Sequence, residues 1–562
     1  MAADVPSLFQ PGRNCYRAAH AQRAALLVDG EAYFRALAHA ALRATQSIVL
    51  IAWDFHSQTR LHLNEAGVPD LLGDFLNFLL RRNRRLRIFV LAWDYPLVFG
   101  RGREPPAGSD GGWQPHRRIS FHYDSTCALG AAHHQKIVVI DGAMAFCGGI
   151  DLTLGRWDTT QHSSADSRRT NVGETVPYGP VHDVMLAVDS GAAGALQSVA
   201  SERWRRATGR ALPTAHAVSD PWPASLFPMF SDVDVALART VPAGRNEPAV
   251  TEVEALHLDL IAAARQYIYI ENQYFTSKVL GNALAARLAE PAGPEVVVVS
   301  RLDSSGWLEA PAMSALRTVL MRKLRDADAY GRFHAWHPDT PGEPACDVHS
   351  KLMIVDDEWL RVGSANFANR SMGLDTECDL VLEARGDSAT RTAIASVRNA
   401  LLSEHLGVAR TDVQNAFAVT GSLGETVASL STQDRRSLQR FERLDEPSPA
   451  MVALASGVAD PRQPLSMEEL IAGFDPTASG PPARRRAPSA VAGRINNLLG
   501  GMVLGILLGT LVATLFARQL AVGLRAALDV IWLLLATFGA IAASRWVMRR
   551  RATGSRFRER GD

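Results

Sequence analysis

Cysteine is scarce in this 562-residue chain. There are five, Cys15, Cys127, Cys147, Cys346 and Cys378, and no C-x-x-C pair. An odd count without that spacing argues against a disulfide framework and against a thiolate zinc site, and favours a reducing compartment. The N-terminal stretch MAADVPSLFQPGRNCYRAAH has no apolar segment after a basic start, so no secretory signal is expected. An excess of one charge is also missing. The formal net charge is +1, which gives the whole chain no bulk attraction to nucleic acid. Nor does the folded part carry a dense Lys/Arg stripe interleaved with aromatics, as DNA-tracking grooves do.

The composition is globular, 47% hydrophobic and 21% charged. The length exceeds one ordinary core, so two or more units are expected. Two uncharged runs stand near the C-terminus. The first, 498–516, reads LLGGMVLGILLGTLVATLF; the second, 530–544, extends to 548 if Arg545 snorkels. About 20 apolar residues cross a bilayer, so the pair reads as a transmembrane hairpin, with a buried soluble hairpin as the alternative. Arg484, Arg485, Arg486 and Arg494 precede it and Arg549, Arg550 and Arg551 follow. Positive flanks place both ends, and the large N-terminal part, in the cytoplasm. Residues 446–494 are rich in Pro, Ala and Arg and are expected to form a flexible linker; 551–562 form a basic tail.

The soluble part repeats itself. His134-Gln-Lys136 recurs 215 residues later as His349-Ser-Lys351, and Asp141 recurs at the same distance as Asp356. Six residues intervene between Asp141 and Gly148-Gly-Ile-Asp151, and six between Asp356 and Gly363-Ser-Ala-Asn366. Upstream, SIVLIAWDFHS (47–57) matches QYIYIENQYFTS (266–277) in pattern. RLRIFVLAW (85–93) and EVVVVSR (295–301) read as buried strands of parallel-sheet type. Each half therefore runs helix, strand, helix, strand and then the His-x-Lys strand, which predicts an α/β layered fold in two pseudo-twofold halves.

Side chains alternate along a strand, so His134 and Lys136 share one face and Asp141 takes the other; His349, Lys351 and Asp356 do the same. An imidazole beside an ammonium makes an anion site. Lysine suits phosphate as a compact point charge. Histidine attacks phosphorus or moves a proton near neutral pH. Two copies supply the nucleophile and the acid/base that a two-step phosphoryl transfer needs. A lone H-x-K arises by chance, and a single histidine is more often structural. The repeated spacing of the glycine-rich segment sets that reading aside. Lysine is a poor metal ligand and no carboxylate cluster accompanies it, so no metal is expected.

The pattern HxKxxxxDx6G[GS]x[ND] in two copies resembles the phospholipase D superfamily, in its eukaryotic-type branch and bacterial relatives. The matching pieces are AHHQKIVVIDGAMAFCGGIDLTLGRWDT, PVHDVM, YIENQYF and VHSKLMIVDDEWLRVGSANFANRSMGLDTE, within residues 10 to 410 or so. The resemblance implies a metal-free, cofactor-free reaction through a phosphohistidine. His134 would be the nucleophile and His349 the general acid/base. Lys136, Lys351 and Asn366 would hold phosphoryl oxygens; Asp151 stands where the first half lacks that asparagine. The orienting carboxylates would cross between halves, Glu377 to His134 and Asp183 to His349. Asp141 and Asp356 would be structural, and Ser364 supporting. Arg156, Asp158 and Arg370 would pair with charges that brace the site, and Glu271, Asn272 and Gln273 would wall the cleft.

The expected architecture is two phospholipase D-like α/β/α sandwich repeats, 1–212 and 213–445, followed by the linker and the hairpin. The expected activity is hydrolysis of a glycerophospholipid to phosphatidic acid and a head-group alcohol, at a bacterial inner membrane. Water or an alcohol is the acceptor, and no nucleic-acid partner is expected. Cardiolipin or other phospholipid synthesis by transphosphatidylation is the nearest alternative; nucleic-acid cleavage and an inactive membrane scaffold are further ones. Head-group preference would lie in loops such as 101–120 and 303–315.

Overall fold

Strands of this chain are near-continuous apolar runs, such as Ile137–Ile140 and Glu295–Val299. Such runs are stable only with both sheet faces covered. The computed structural model describes residues 6–94, 104–109, 112–128, 130–213, 220–244, 247–302, 309–442, 444 and 446–464. All belong to one unit. The two apolar C-terminal runs, their flanking arginines, most of the linker and the basic tail lie outside the described residues. Among the described residues, no helix is long and apolar enough to cross a membrane.

One mixed sheet runs through both halves. From its first-half edge the order is Ile119–Asp124, Arg87–Trp93, Ser47–Ala52, Ile137–Ile140, Met144–Gly148, Val184–Asp189 and Arg17–Val28. The second half continues with Phe230–Val241, Glu377–Glu383, Trp359–Gly363, Lys351–Val355, Tyr267–Asn272, Glu295–Val299, Phe333–Asp339 and Ser437–Arg440. Apart from the last strand, the second list mirrors the first, so the repeat in the sequence is a pseudo-twofold in the sheet. The halves join where Arg17–Val28 pairs antiparallel with Phe230–Val241, Arg17 opposite Leu237 and Ala24 opposite Phe230.

Helices cover both faces. Helices Ser190–Thr208 and Ser388–Leu406 lie on one side, over a core continuous between halves through Leu186, Val235, Leu380 and Leu402. On the other side each half has its own core, under Asp29–Leu42 and Leu72–Arg82 in the first and Glu252–Ala263, Lys278–Ala289 and Glu309–Ala327 in the second. All five cysteines are free.

The motif aspartates explain their own positions. Asp141 and Gly142 take φ of 52° and 64° in the hairpin after Ile137–Ile140; Asp356 and Asp357 take 54° and 53° after Lys351–Val355. Aspartate tolerates this left-handed region better than most residues. Its carboxylate then caps the neighbouring strand. Asp141 accepts from the backbone N–H groups of Thr45, Gln46 and Ser47, at 2.7–2.8 Å. Asp356 accepts from those of Arg265, Gln266 and Tyr267, at 2.6–2.8 Å.

The expected linker begins later than 446. A short helix, Pro449–Leu454, is capped by Ser448 and leads to Asp460. Buried Asp460 accepts from Thr276 Oγ1 at 2.7 Å and from the backbone N–H of Arg370 at 2.9 Å. Proline at the first helical position favours a helix as readily as a loop, which is why proline content misleads here.

Candidate active site

Each His-x-Lys segment pairs with a segment of the opposite half. The backbone N–H of His134 donates to Thr376 O at 2.9 Å, and that of Thr376 to Ala132 O at 2.9 Å. The equivalent ladder joins Asp347–Val348 to Val181–His182, with the His349 N–H donating to His182 O at 2.8 Å. The residue following each partner, Glu377 or Asp183, is thereby set beside the histidine. This pairing also means that His134 and Lys136 precede the sheet strand, which begins at Ile137, rather than lying within it.

His349 Nδ1 lies 2.6 Å from Asp183 Oδ2. His134 Nδ1 lies 3.1 Å from Glu377 Oε2 and 3.0 Å from Ser364 O. A carbonyl only accepts, so His134 Nδ1 carries the proton and donates. Both rings thus keep Nε2 for chemistry. Glu377 is fully buried and also receives the hydroxyls of Ser364 and Ser371, the latter at 2.7 Å. Ser364 is therefore part of the site. Its counterpart is Gly149, where an added Cβ would run into the Asp183 carboxylate. One glycine-rich segment supplies a donor, and the other makes room.

The lysines differ. Lys136 Nζ lies 3.2 Å from Asp151 Oδ2 and donates to His134 O at 2.8 Å. Lys351 Nζ donates to Gln273 Oε1 at 3.0 Å and to His349 O. Lys136 is thus paired with a carboxylate, whereas Lys351 has neutral partners, the two oxygens and His349 Nδ1 at 3.1 Å. Burial pushes the Lys351 ammonium down to about 7, although Asp183 opposes the shift. Both imidazoles sit well below their ordinary value, first through burial and then through the lysines; Lys136 and Lys351 act on each ring, and Arg156 on His349. Burial lifts Asp183 to about 7 and Glu377, aided by Asp375, to about 8. Asn366 is buried, with its Oδ1 unpartnered. Both histidines and both lysines therefore share one electrostatic field at the seam between halves.

Arg370 pairs with a carboxylate: its Nε lies 2.5 Å from Asp375 Oδ2. Asp158 meets His162 Nδ1 at 3.0 Å and accepts from the Val181 N–H at 2.9 Å. Arg156 does not match the expectation. It has no ion pair among the described residues, and its Nε is buried without a partner. Glu271 is no cleft wall either: it is fully buried and bonded to His182 and Ser350 behind His349. A carboxylate next to Asn and Gln looks like a cleft lining; only the three-dimensional pairing shows its partners.

Two family models match the chain. One, described as phospholipase D, matches residues 116–281; the other, described as cardiolipin synthase, PLD-like domain, matches 257–398. Together they span both His-x-Lys segments and both carboxylates. The chain belongs to the phospholipase D superfamily. Among curated relatives of this superfamily member, phospholipase D A of Dictyostelium discoideum is 26% identical over 461 residues, covering 68% of this chain and 35% of that protein. Phospholipase D1 of Saccharomyces cerevisiae is 23% identical, covering 68% and 28%. Phospholipase D alpha 1 of Ricinus communis is 24% identical, covering 51% and 50%. The chain thus spans between about a quarter and a half of these relatives' length. A solved phosphatidylserine synthase of Haemophilus influenzae overlays with a TM-score of 0.48 at 12% identity, covering 82% of this chain and 95% of that one.

Proposed function

We propose that this protein is a phospholipase D-type phosphodiesterase that cleaves glycerophospholipids to phosphatidic acid and a free head-group alcohol. The observation that carries this reading is the pair of crossed couples, Glu377–His134 and Asp183–His349, with a lysine beside each histidine. His134 is assigned as nucleophile. Its Nε2 lone pair forms a bond to phosphorus while the bond to the head-group oxygen breaks. His349 Nε2 gives that oxygen a proton. His349 must be protonated for this step; the bound phosphodiester anion raises its proton affinity against burial and the lysines. Water then gives a proton back to His349 Nε2, its oxygen attacks phosphorus, and His134 leaves. Lys351, with Asn366 beside it, holds the phosphoryl oxygens and offsets their charge. An alcohol in place of water gives transphosphatidylation by the same steps, and the cardiolipin synthase-type model over 257–398 supports that second reading.

A lipid substrate fits a chain with apolar runs at 498–516 and 530–548. We assign these runs as a membrane hairpin with arginine flanks on the cytoplasmic side, which holds the catalytic part beside the bilayer. The test is incubation of the full chain with labelled phospholipid vesicles, with and without ethanol, and with DNA. Phosphatidylethanol that disappears in His134→Ala and His349→Ala supports the reading. DNA cleavage without lipid turnover contradicts it.

A further inference from the structure

Behind the Asp183–His349 pair lies a second set of buried polar side chains that makes no contact with the catalytic imidazoles. Side chains alternate along the paired segments, so His182 and Ser350 point away from their neighbours Asp183 and His349. Glu271 meets both. Its Oε2 accepts from His182 Nε2 at 2.9 Å and from Ser350 Oγ at 3.0 Å. Its Oε1 accepts from the Tyr269 hydroxyl at 2.6 Å and from His405 Nε2 at 3.1 Å. His182 Nδ1 in turn donates to Glu404 Oε1 at 2.6 Å. Each ring nitrogen of His182 faces a carboxylate, Glu271 at Nε2 and Glu404 with Asp29 (3.3 Å) at Nδ1, so both carry protons and the ring is an imidazolium. One carboxylate therefore joins the two segments of the ladder that carries Asp183 and His349.

The first half has no equivalent. Asp141 caps Ser47 as Asp356 caps Tyr267, which aligns Ile51 with Glu271. Gln135 stands in the place of Ser350, and Thr376 in that of His182. There the Gln135 amide donates to Glu377 O at 3.1 Å, and His133 Nδ1 lies 2.9 Å from Thr376 Oγ1. The two catalytic histidines are held by unlike means.

We propose that Glu271 is a positioning residue: through His182 and Ser350 it fixes the ladder carrying Asp183 and His349, and so aims His349 at the leaving oxygen. The inference rests on the phosphodiesterase reading. Its test uses two substrates on the full chain. A phospholipid has an alkoxide leaving group that needs a proton; an aryl phosphodiester has a leaving group that does not. Ser350→Ala is expected to lower kcat on phospholipid by about tenfold and leave KM within about twofold. Ser350→Thr, which restores the hydroxyl, recovers most of that loss. Glu271→Gln, with one acceptor oxygen for four donors, is expected to lose about a hundredfold. First-turnover release of the aryl group stays within about twofold of wild type in all three variants. Should Glu271→Gln not fold, the Ser350 pair decides alone.

Equal losses on both substrates mean a merely structural role and overturn the proposal, as does unchanged phospholipid turnover. One atom from each of Asp29, His162, His182 and Glu404 lies within 4.8 Å of the others. One equivalent of a transition metal in the purified protein, lost in His162→Gln, therefore also overturns the proton-bearing network. A wild-type chain inactive on both substrates overturns the functional reading instead, and the assignment falls with it.

Discussion

His134 and Glu377 stand 243 residues apart in the chain and 3.1 Å apart in space. Neither half alone contains the carboxylate that meets its own His-x-Lys histidine. The couple exists because Thr376 pairs with the segment before His134, and the mirror ladder does the same for Asp183 and His349.

Breaking one couple without changing shape tests that dependence. Asp183→Asn and Glu377→Gln are expected to lower kcat by about 10²–10⁴, because the amide can present N–H to Nδ1 and stabilise the wrong tautomer. KM on phospholipid vesicles stays within a few-fold. Steady-state kinetics with thermal melting of each variant checks it.

Gly149 provides a steric test. Its position mirrors Ser364, so Gly149→Ser makes the two glycine-rich segments alike. The added side chain meets the Asp183 carboxylate and displaces it from His349. Activity is expected to fall at least a hundredfold, whereas Ser364→Gly, which removes one of the hydroxyl donors to Glu377, costs about tenfold. Phospholipid turnover by the two variants gives the comparison.

Asp141 and Asp356 should behave as scaffold. Each carboxylate accepts three backbone N–H groups at the start of a neighbouring strand. Asp141→Ala is expected to destabilise the fold by about 1–3 kcal/mol, with kcat per folded molecule nearly unchanged. Denaturant unfolding beside active-site titration separates the two effects.

Lys351 sets a pH dependence. It releases its proton near 7 in the fold against an ordinary value of 10.5. Between these values the unfolded chain binds more protons, so this group makes stability rise with pH from roughly 7 to 10.5, and below 7 its destabilisation is complete. Lys351→Met should therefore stabilise the fold at pH 6 by about 1 kcal/mol or more, an advantage that fades toward pH 10. In the proposed mechanism the same residue binds substrate as a cation, so kcat/KM is expected to fall as pH rises through about 7. A bound phosphodiester raises the lysine's proton affinity and moves the matching limb of kcat to higher pH. Melting curves and pH–rate profiles test both.

The repeat made much of this legible. Equal spacing of His134, Lys136 and Asp141 with His349, Lys351 and Asp356 is a local pattern, and the glycine-rich segments reinforce it. The roles of Asp141 and Asp356 as caps follow from a position just past a strand. Less legible was anything set by pairing between distant segments. Glu271 lies in an IENQ stretch that reads as cleft lining, yet its partners His182, Ser350 and His405 come from three other segments. Ser437–Arg440 completes the sheet edge, although its short polar run carries no strand period. Asp460 looked like linker because its burial depends on Thr276, Asn369 and Arg370, which local composition cannot reveal.

The central claim is that the two halves build one site in which His134 bonds to phosphorus and His349 moves the proton. It is tested most directly in His349→Ala with an aryl phosphodiester. That leaving group departs without a proton, but hydrolysis of the intermediate still needs His349. The account predicts one equivalent of aryl alcohol per enzyme, then arrest, with intact-protein and peptide mass spectrometry placing the phosphoryl adduct on His134. His134→Ala gives neither burst nor adduct. A burst in His134→Ala with the adduct on His349, or full turnover by either variant without an adduct, would contradict it.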